Sequence, residues 1–482
     1  MDAKRIRSLG PKLAGFLKRF ADCFKRSDTR GHLAVYVRGQ LSDLPRKNCE
    51  PIADAAGIPP RTLQQFLSLS EWDHDKLRSK LQRIVAKEHS GPTSIGIIDE
   101  TACPKKGEKT PGVQRQWCGA TGKTDNCVVT VHLACATDDF HALVDSELFL
   151  PEIWSEDRGR CRAADIPDDM VHRPKTRIAL ELYDRARSNG IVFPWLTFDE
   201  GYGKSVGFLM ALRERGQAFV AEVPVTFAGW IDPPRVTDRP RSRVGRPAKK
   251  KRLVAGSKKF RTARDHLQSS PELRDRPWTR FHVKDGDKGP MVWEAKRIWF
   301  HPNGEDDLPL APLHLVVARN VVEPGVLKYF AADAARETPL EELLRVAFSR
   351  WRVERCFEDG KTELGFDHFE GRSYIGMIRH QTIAALTQLF LARVRQEWDG
   401  EKNGTDGLPG PHGGLRAGPI LVAVADGGEA APGTHGPDDP GDAMPESPLA
   451  GVPPQADAGK ARPRRRRPRR TPPLRPRNHL AL

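Results

Sequence analysis

Apolar residues recur at helical spacing through residues 1–90. Leu13, Phe16, Leu17, Phe20 and Phe24 alternate with Lys12, Lys18, Arg19, Lys25 and Arg26, which predicts an amphipathic helix over 11–26 with a basic outer face. Residues 50–67 read as a helix, a break at Gly57, and a second helix opened by Pro59-Pro60, with Arg61, Gln64 and Gln65 on the second helix. That is the rhythm of a helix-turn-helix, and also of many helical hairpins that touch no nucleic acid. Leu77, Leu81, Ile84 and Val85 mark a further helix. The expectation is a small helical domain over 1–90.

The period changes at Ser94. Ser94–Ile98 and Phe193–Phe198 are short apolar runs of the length of buried strands, ending at Asp99 and Asp199. Val128–Cys135 and Leu143–Leu150 also read as strands, and residues 175–189 and Ser205–Arg215 as helices, the latter after a turn holding Gly201, Gly203 and Lys204. Strand, acidic residue, glycine turn and helix is an α/β pattern. Residues 217–335 differ. Phe219–Val225, Arg280–Val283, Met291–Phe300 and Leu313–Val317 are strand-like and separated by Pro, Gly and Asp, which predicts a β-rich insertion. Helical periodicity returns over 336–396. From 397 to 482 it disappears among Pro and Gly, and this tail is expected to be disordered.

Composition narrows the class. The 482 residues contain 78 Lys and Arg against 63 Asp and Glu, a net charge of +15, which points to an anionic partner. No apolar run is long enough for a membrane-spanning helix, so membrane drops out and a cytoplasmic location is expected. The eight Cys form no C-x-x-C pair, which argues against a disulfide framework or a zinc site. Arg239–Arg264 carries 12 Lys and Arg and no acidic residue. Within it, Arg243, Arg246, Lys249, Lys250, Lys251 and Arg252 surround a Gly-Arg-Pro core like that of AT-hook segments. Such a strip enters a minor groove or grips phosphates without sequence preference. Lys460–Arg477 adds 10 basic residues to a tail that reads either as a basic arm or as a frameshifted product.

Asp99 and Asp199 follow strands, where α/β sheets bind ligands. A third acidic element lies in Arg350-Trp-Arg-Val-Glu354-Arg-Cys-Phe-Glu358-Asp-Gly-Lys361, where Arg350, Glu354, Glu358 and Lys361 share one helical face beside the apolar Trp351, Val353 and Phe357. This stretch resembles the Arg…Glu…Lys signature of bacterial insertion-sequence transposases of the DDE type. The Tyr of that signature falls on Ala347, a departure, with Phe348 the nearest aromatic. Ile-Ile-Asp99-Glu-Thr and Thr-Phe-Asp199-Glu-Gly-Tyr-Gly resemble the first two acidic motifs, and the likeness spans about residues 90–395.

The resemblance implies an α/β fold with an RNase H-like catalytic core in two parts, 91–216 and 336–396, around the β-rich insertion. It implies that Asp99, Asp199 and Glu354 hold two Mg²⁺ or Mn²⁺ ions for in-line attack at phosphorus, with Arg350 and Lys361 gripping phosphates. Glu358 is a weaker alternative to Glu354, and Glu100 and Glu200 are not expected as ligands, because neighbours on a strand face opposite ways. Trp293 and Trp299, in the insertion, are read either as a stacking platform for a flipped base or as core. The implied partners are the DNA ends of an element, target DNA and a second copy in a synaptic homodimer, in a nucleoid-associated protein. Two other readings share these residues: a repressor derived from an inactive transposase, and a nuclease of the same fold.

Overall fold

A computed structural model of the chain describes residues 3–238, 251–286 and 289–403. Five helices come first: α1 (Ala3–Lys18), α2 (Ser27–Gln40), α3 (Cys49–Ala55), α4 (Pro60–Ser68) and α5 (His74–Glu88). The helix expected over 11–26 stops at Lys18. A 3-10 turn at Ala21–Cys23 then carries the chain on, and Phe20 and Phe24 reach the core through it. The break between α3 and α4 is made by Gly57 at φ +66°, a left-handed conformation that side chains resist.

Next come β1 (Ile95–Pro104), β2 (Gln114–Cys118), β3 (Lys123–Ala136), β4 (His141–Leu148), α6 (Glu152–Glu156), α7 (Arg158–Ala163), α8 (Lys175–Ser188), β5 (Trp195–Phe198), α9 (Glu200–Gly203), α10 (Val206–Glu214) and β6 (Phe219–Val223). The glycine turn expected at 201–204 is the single helical turn α9, capped by the Asp199 side chain. The following stretch holds β7 (Ala228–Trp230), β8 (Val236–Thr237), β9 (Arg252–Leu253), β10 (Arg261–Thr262), α11 (Ala263–Ser269), α12 (Pro271–Arg274), β11 (Thr279–Gly286), β12 (Gly289–Pro302), β13 (Leu313–Asn320) and β14 (Leu327–Asp333). Helices α13 (Leu340–Phe348), α14 (Trp351–Thr362) and α15 (Tyr374–Asn403) follow. Residues 397–403, expected in the tail, therefore belong to α15; the rest of the tail, 404–482, lies outside the described residues.

Among the described residues, twelve strands make one mixed sheet in the order β10-β7-β12-β13-β14-β6-β5-β1-β3-β2, with β11 added on β12 and β4 on β3. β1, β5 and β6 run parallel, and β3 is antiparallel to β1. The stretch from β7 to β14 is not a detached lobe, because β14 pairs antiparallel with β6 from Tyr329 to Asp333. β5 is buried along its whole length, as a parallel strand covered on both faces must be.

α15 is the strut. Every residue from Gly376 to Phe390 is buried, so the helix is enclosed on all sides. Several of its buried polar groups find partners on the elements around it. Arg379 donates to the carbonyls of Leu67 (3.0 Å) and Trp72 (2.9 Å), and Thr387 to Gln40 Oε1 (2.8 Å). Gln388 donates to the Cys356 carbonyl (2.7 Å) and accepts from the Leu143 amide (3.0 Å). The first five helices thus share one core with α15, which also fixes α14 against β4. A buried ion network ties α5 and α8 to β4. The fully buried Asp145 side chain takes both Nε (2.7 Å) and Nη2 (3.0 Å) of Arg185, and Gln82 Nε2 at 2.8 Å.

Candidate active site

The site grows out of strand register. β1 pairs with β5 only as far as Ile98 opposite Phe198, and β5 with β6 as far as Phe198 opposite Ala221. The next row across the three parallel strands is Asp99, Asp199 and Glu222. Asp99 does not end its strand as expected: β1 continues on β3 to Pro104, with Asp99 opposite His132. It is the β5 neighbour that ends there, and this opens space beside the Asp99 carboxylate.

Asp99 is 8% exposed. Burial, and then the Asp199 charge, push its carboxyl up to about 7, against the pull of Arg350 and of the Glu100 amide. Burial and the Glu100 charge likewise raise Asp199, although Arg350 and the Tyr202 and Gly201 amides oppose them. Glu100 points away from Asp99, toward Lys175 and the Tyr202 hydroxyl (3.2 Å). Glu200 is exposed at the start of α9. α9 sits tight on β6: a Cβ on Gly203 would lie 1.9 Å from the Glu222 carbonyl oxygen.

α14 brings the third carboxylate. Arg350, just before its first turn, donates from Nη1 to Asp99 Oδ2 (2.9 Å), and its Nη2 lies 2.7 Å from Glu354 Oε1. The guanidinium thus bridges two of the three predicted carboxylates. Burial alone would lower its pKa, yet Asp99, Glu354, Glu222 and Asp199 together hold it above the ordinary value. Glu354 is 58% exposed at its side chain. Glu358 turns away and pairs with Arg355 (2.8 Å). Lys361, two turns past Glu354, is docked on β1 and donates to Thr101 Oγ1 (2.8 Å) and the Ala102 carbonyl (3.1 Å). Behind it, His132 is fully buried against Phe357 and Phe366; burial and Lys361 push it down to about 3, so it is neutral.

Glu222 was not anticipated. It stands in the same row, influences Arg350, and is paired with Lys328 at 2.6 Å. The signal was present, since Val-Ala-Glu222 repeats the apolar-run-then-acid pattern of Ile-Ile-Asp99 and Thr-Phe-Asp199.

The remaining predicted residues lie elsewhere. Arg61 and Gln64 are exposed on α4, with Gln65 beside them. Lys251 is exposed and Arg252 half-buried in β9, whereas Arg243, Arg246, Lys249 and Lys250 fall outside the described residues. Trp293 is no stacking platform. It is 5% exposed and packs on Phe348, ring centroids 4.9 Å apart, because its β12 position faces α13. Trp299 is half-buried against His314.

The donor set is carboxylate oxygen alone, the choice of a hard divalent cation. Burial and then the Asp199 charge hold Asp99 up at about 7 despite Arg350, a cost that a bound cation would relieve, so the residues fit such an ion. Among the described residues, no three His, Cys, Asp or Glu side chains converge as metal ligands, and Glu354 is paired with Arg350. No helix among them is long and apolar enough to cross a membrane.

Comparison with known proteins follows this geometry. Residues 19–290 match the family model described as DDE superfamily endonuclease. Over 187 residues the chain is 34% identical to the probable transposase for insertion sequence element IS701 of Microchaete diplosiphon, a match covering 38% of this chain and 46% of that one. The chain thus matches about half the length of that curated relative. A structure of the piggyBac transposase synaptic complex with hairpin DNA aligns over 83% of this chain and 70% of its own, at 10% identity and a TM-score of 0.37.

Proposed function

Because the chain belongs to the DDE superfamily endonuclease family, we propose that it is the transposase of a bacterial insertion sequence, binding the terminal inverted repeats of its element and catalysing metal-dependent cleavage and strand transfer. The observation that carries this is the row of Asp99 and Asp199 with Arg350 linking Asp99 to Glu354. The order β4-β3-β1-β5-β6, with β3 antiparallel to β1 and β5 and β6 parallel to it, supports an RNase H-like core.

Asp99 and Asp199 would hold Mg²⁺ or Mn²⁺, with Glu354 joining them. A pair of such ions supplies an activated oxygen nucleophile and stabilises the leaving 3′ oxygen. The protein's own part is positioning and charge. Arg350, released from Glu354, presents a planar fork to a phosphate beside the scissile bond. Lys361 fixes α14 to β1 next to Asp99 and supplies a point charge at that edge. Tyr202 and Lys175 engage the Glu100 carboxylate beside Asp199. Arg61 and Gln64 on α4, and the basic residues at 239–264, would bind the duplex.

The test is cleavage of a duplex carrying the inverted repeat that brackets the gene, with Mg²⁺ or Mn²⁺. Asp99→Asn, Asp199→Asn and Glu354→Gln should each abolish nicking and leave duplex binding in place. Wild-type nicking retained in all three variants refutes the assignment. A precut end joined to target DNA separates a transposase from a nuclease of the same fold.

A further inference from the structure

We propose that the hairpin formed by β2 and β3 is a second grip on double-stranded DNA, about eight base pairs from the scissile phosphate. The proposal rests on the reading of the carboxylate row as a DNA-cleaving site.

Trp117 in β2 is 66% exposed, which is unusual for so large an apolar ring. The hairpin does not need it for packing. Its opposite face is anchored by Cys118, Cys127, Ala102 and Val129, a small buried cluster against Phe149. Arg115, two residues before Trp117 and so on the same face, is also exposed. Lys123, 70% exposed at the hairpin's return, pairs with Asp125 and stands opposite Cys118, so it lies on the other face. The neighbouring loop carries exposed Lys106 and Lys109 and is tied to the hairpin by Asn126 Nδ2, which donates to the carbonyls of Lys105 and Gly107 at 2.8 Å each. A flat ring among cations suits stacking or wedging against bases and sugars, with the cations on phosphates.

Register places this patch on the path of a bound duplex. Along β3, His132 stands opposite Asp99 and Thr124 opposite Trp117. The separation is eight residues on one strand. That is an even number, so both groups face the same side of the sheet, and at about 3.3 Å per residue they are about 26 Å apart along the strand. At about 3.4 Å of rise per base pair the span is about eight base pairs. Lys361, on Thr101 and Ala102, lies between them on that face. Positive charge thus runs from Arg350 through Lys361 to Arg115, with Lys106 and Lys109 on the adjoining loop, against the acid Glu108. α14 covers the face as far as Lys361 and leaves Trp117 bare.

The experiment is anisotropy of a fluorescein-labelled mixed-sequence duplex of about 30 base pairs, well over the expected span, titrated with the full chain across a salt series. Loss of one stacked ring predicts binding weaker by about five-fold or more for Trp117→Ala, with Trp117→Phe near wild type. Arg115→Ala should flatten the slope of log affinity against log salt by about 0.9, the value of one phosphate contact. Unchanged melting curves keep these variants interpretable. Wild-type affinity and slope in both variants overturn the hairpin proposal and leave the carboxylate assignment standing. A change in solution mass with unchanged DNA affinity also overturns it, because the face then belongs to a second copy. Absence of salt-dependent binding by the wild-type chain overturns both readings together.

Discussion

Asp99→Asn should make the metal-free protein more stable at neutral pH, and by an amount that grows with pH. The folded chain holds the Asp99 carboxyl up at about 7, against an ordinary value of 3.8. Between those values the folded state keeps a proton that the unfolded state has released, so ionising Asp99 costs stability as pH rises. At 1.36 kcal/mol per pH unit the full gap is worth about 4 kcal/mol, present at pH 8 and absent well below pH 4. Asparagine carries no such cost. Between pH 5 and pH 8 its advantage over the wild type should therefore grow by about 2.5 kcal/mol, levelling off above the folded pKa. The assay is urea unfolding of both proteins at several pH values in chelator. A pH-independent difference, or a variant less stable throughout, refutes the claim that burial and the Asp199 charge disfavour an ionised Asp99. Adding Mn²⁺ at pH 8 should narrow the gap, since an ion at 100 times its Kd stabilises the wild type by about 2.7 kcal/mol.

Glu354→Gln should change unfolding free energy by no more than about 0.5 kcal/mol, its side chain being exposed, while abolishing nicking; a large loss of stability would make it a structural residue. Gly203→Ala should cost about 1–3 kcal/mol or more, because the new methyl meets the Glu222 carbonyl, and a normal denaturation midpoint would contradict the close seating of α9 on β6. Asp145→Ala should cost about 3–5 kcal/mol, as it removes both hydrogen bonds of the Arg185 guanidinium and one from Gln82 at the junction of α5, α8 and β4, and urea denaturation measures it directly.

The parts of the site that were legible share one property: their signal is local. An apolar run followed by an acid marks Asp99 and Asp199, and helical spacing sets Arg350, Glu354 and Lys361 on one side of α14. What was missed depends on pairing between distant segments. Glu222 carries the same local signal, but its membership of the row needs the β5–β6 register. The reach of β1 past Asp99 needs β3, since Cys103 and Pro104 hold strand geometry only because Val128 and Cys127 lie opposite. The sequence left Trp293 between core and stacking platform because a strand in isolation does not reveal which face α13 covers. The termination of α1 at Lys18 escaped notice because Phe20 and Phe24 kept the apolar spacing through a 3-10 turn. Fold class was legible from the alternation of strands and helices; the continuity of the sheet through β14 was not.

That continuity limits how the molecule can be altered. β6 is flanked by β5 on one edge and β14 on the other. Cutting out the segment between Pro224 and Pro339 and rejoining the ends would expose the unpaired backbone of a short, almost wholly buried apolar strand, a template for association with other chains. The excised piece would carry a matching raw edge along Tyr329–Asp333. Neither half is a portable module. A shortened version would have to keep β14, or replace it with another strand in its register, to stay monodisperse.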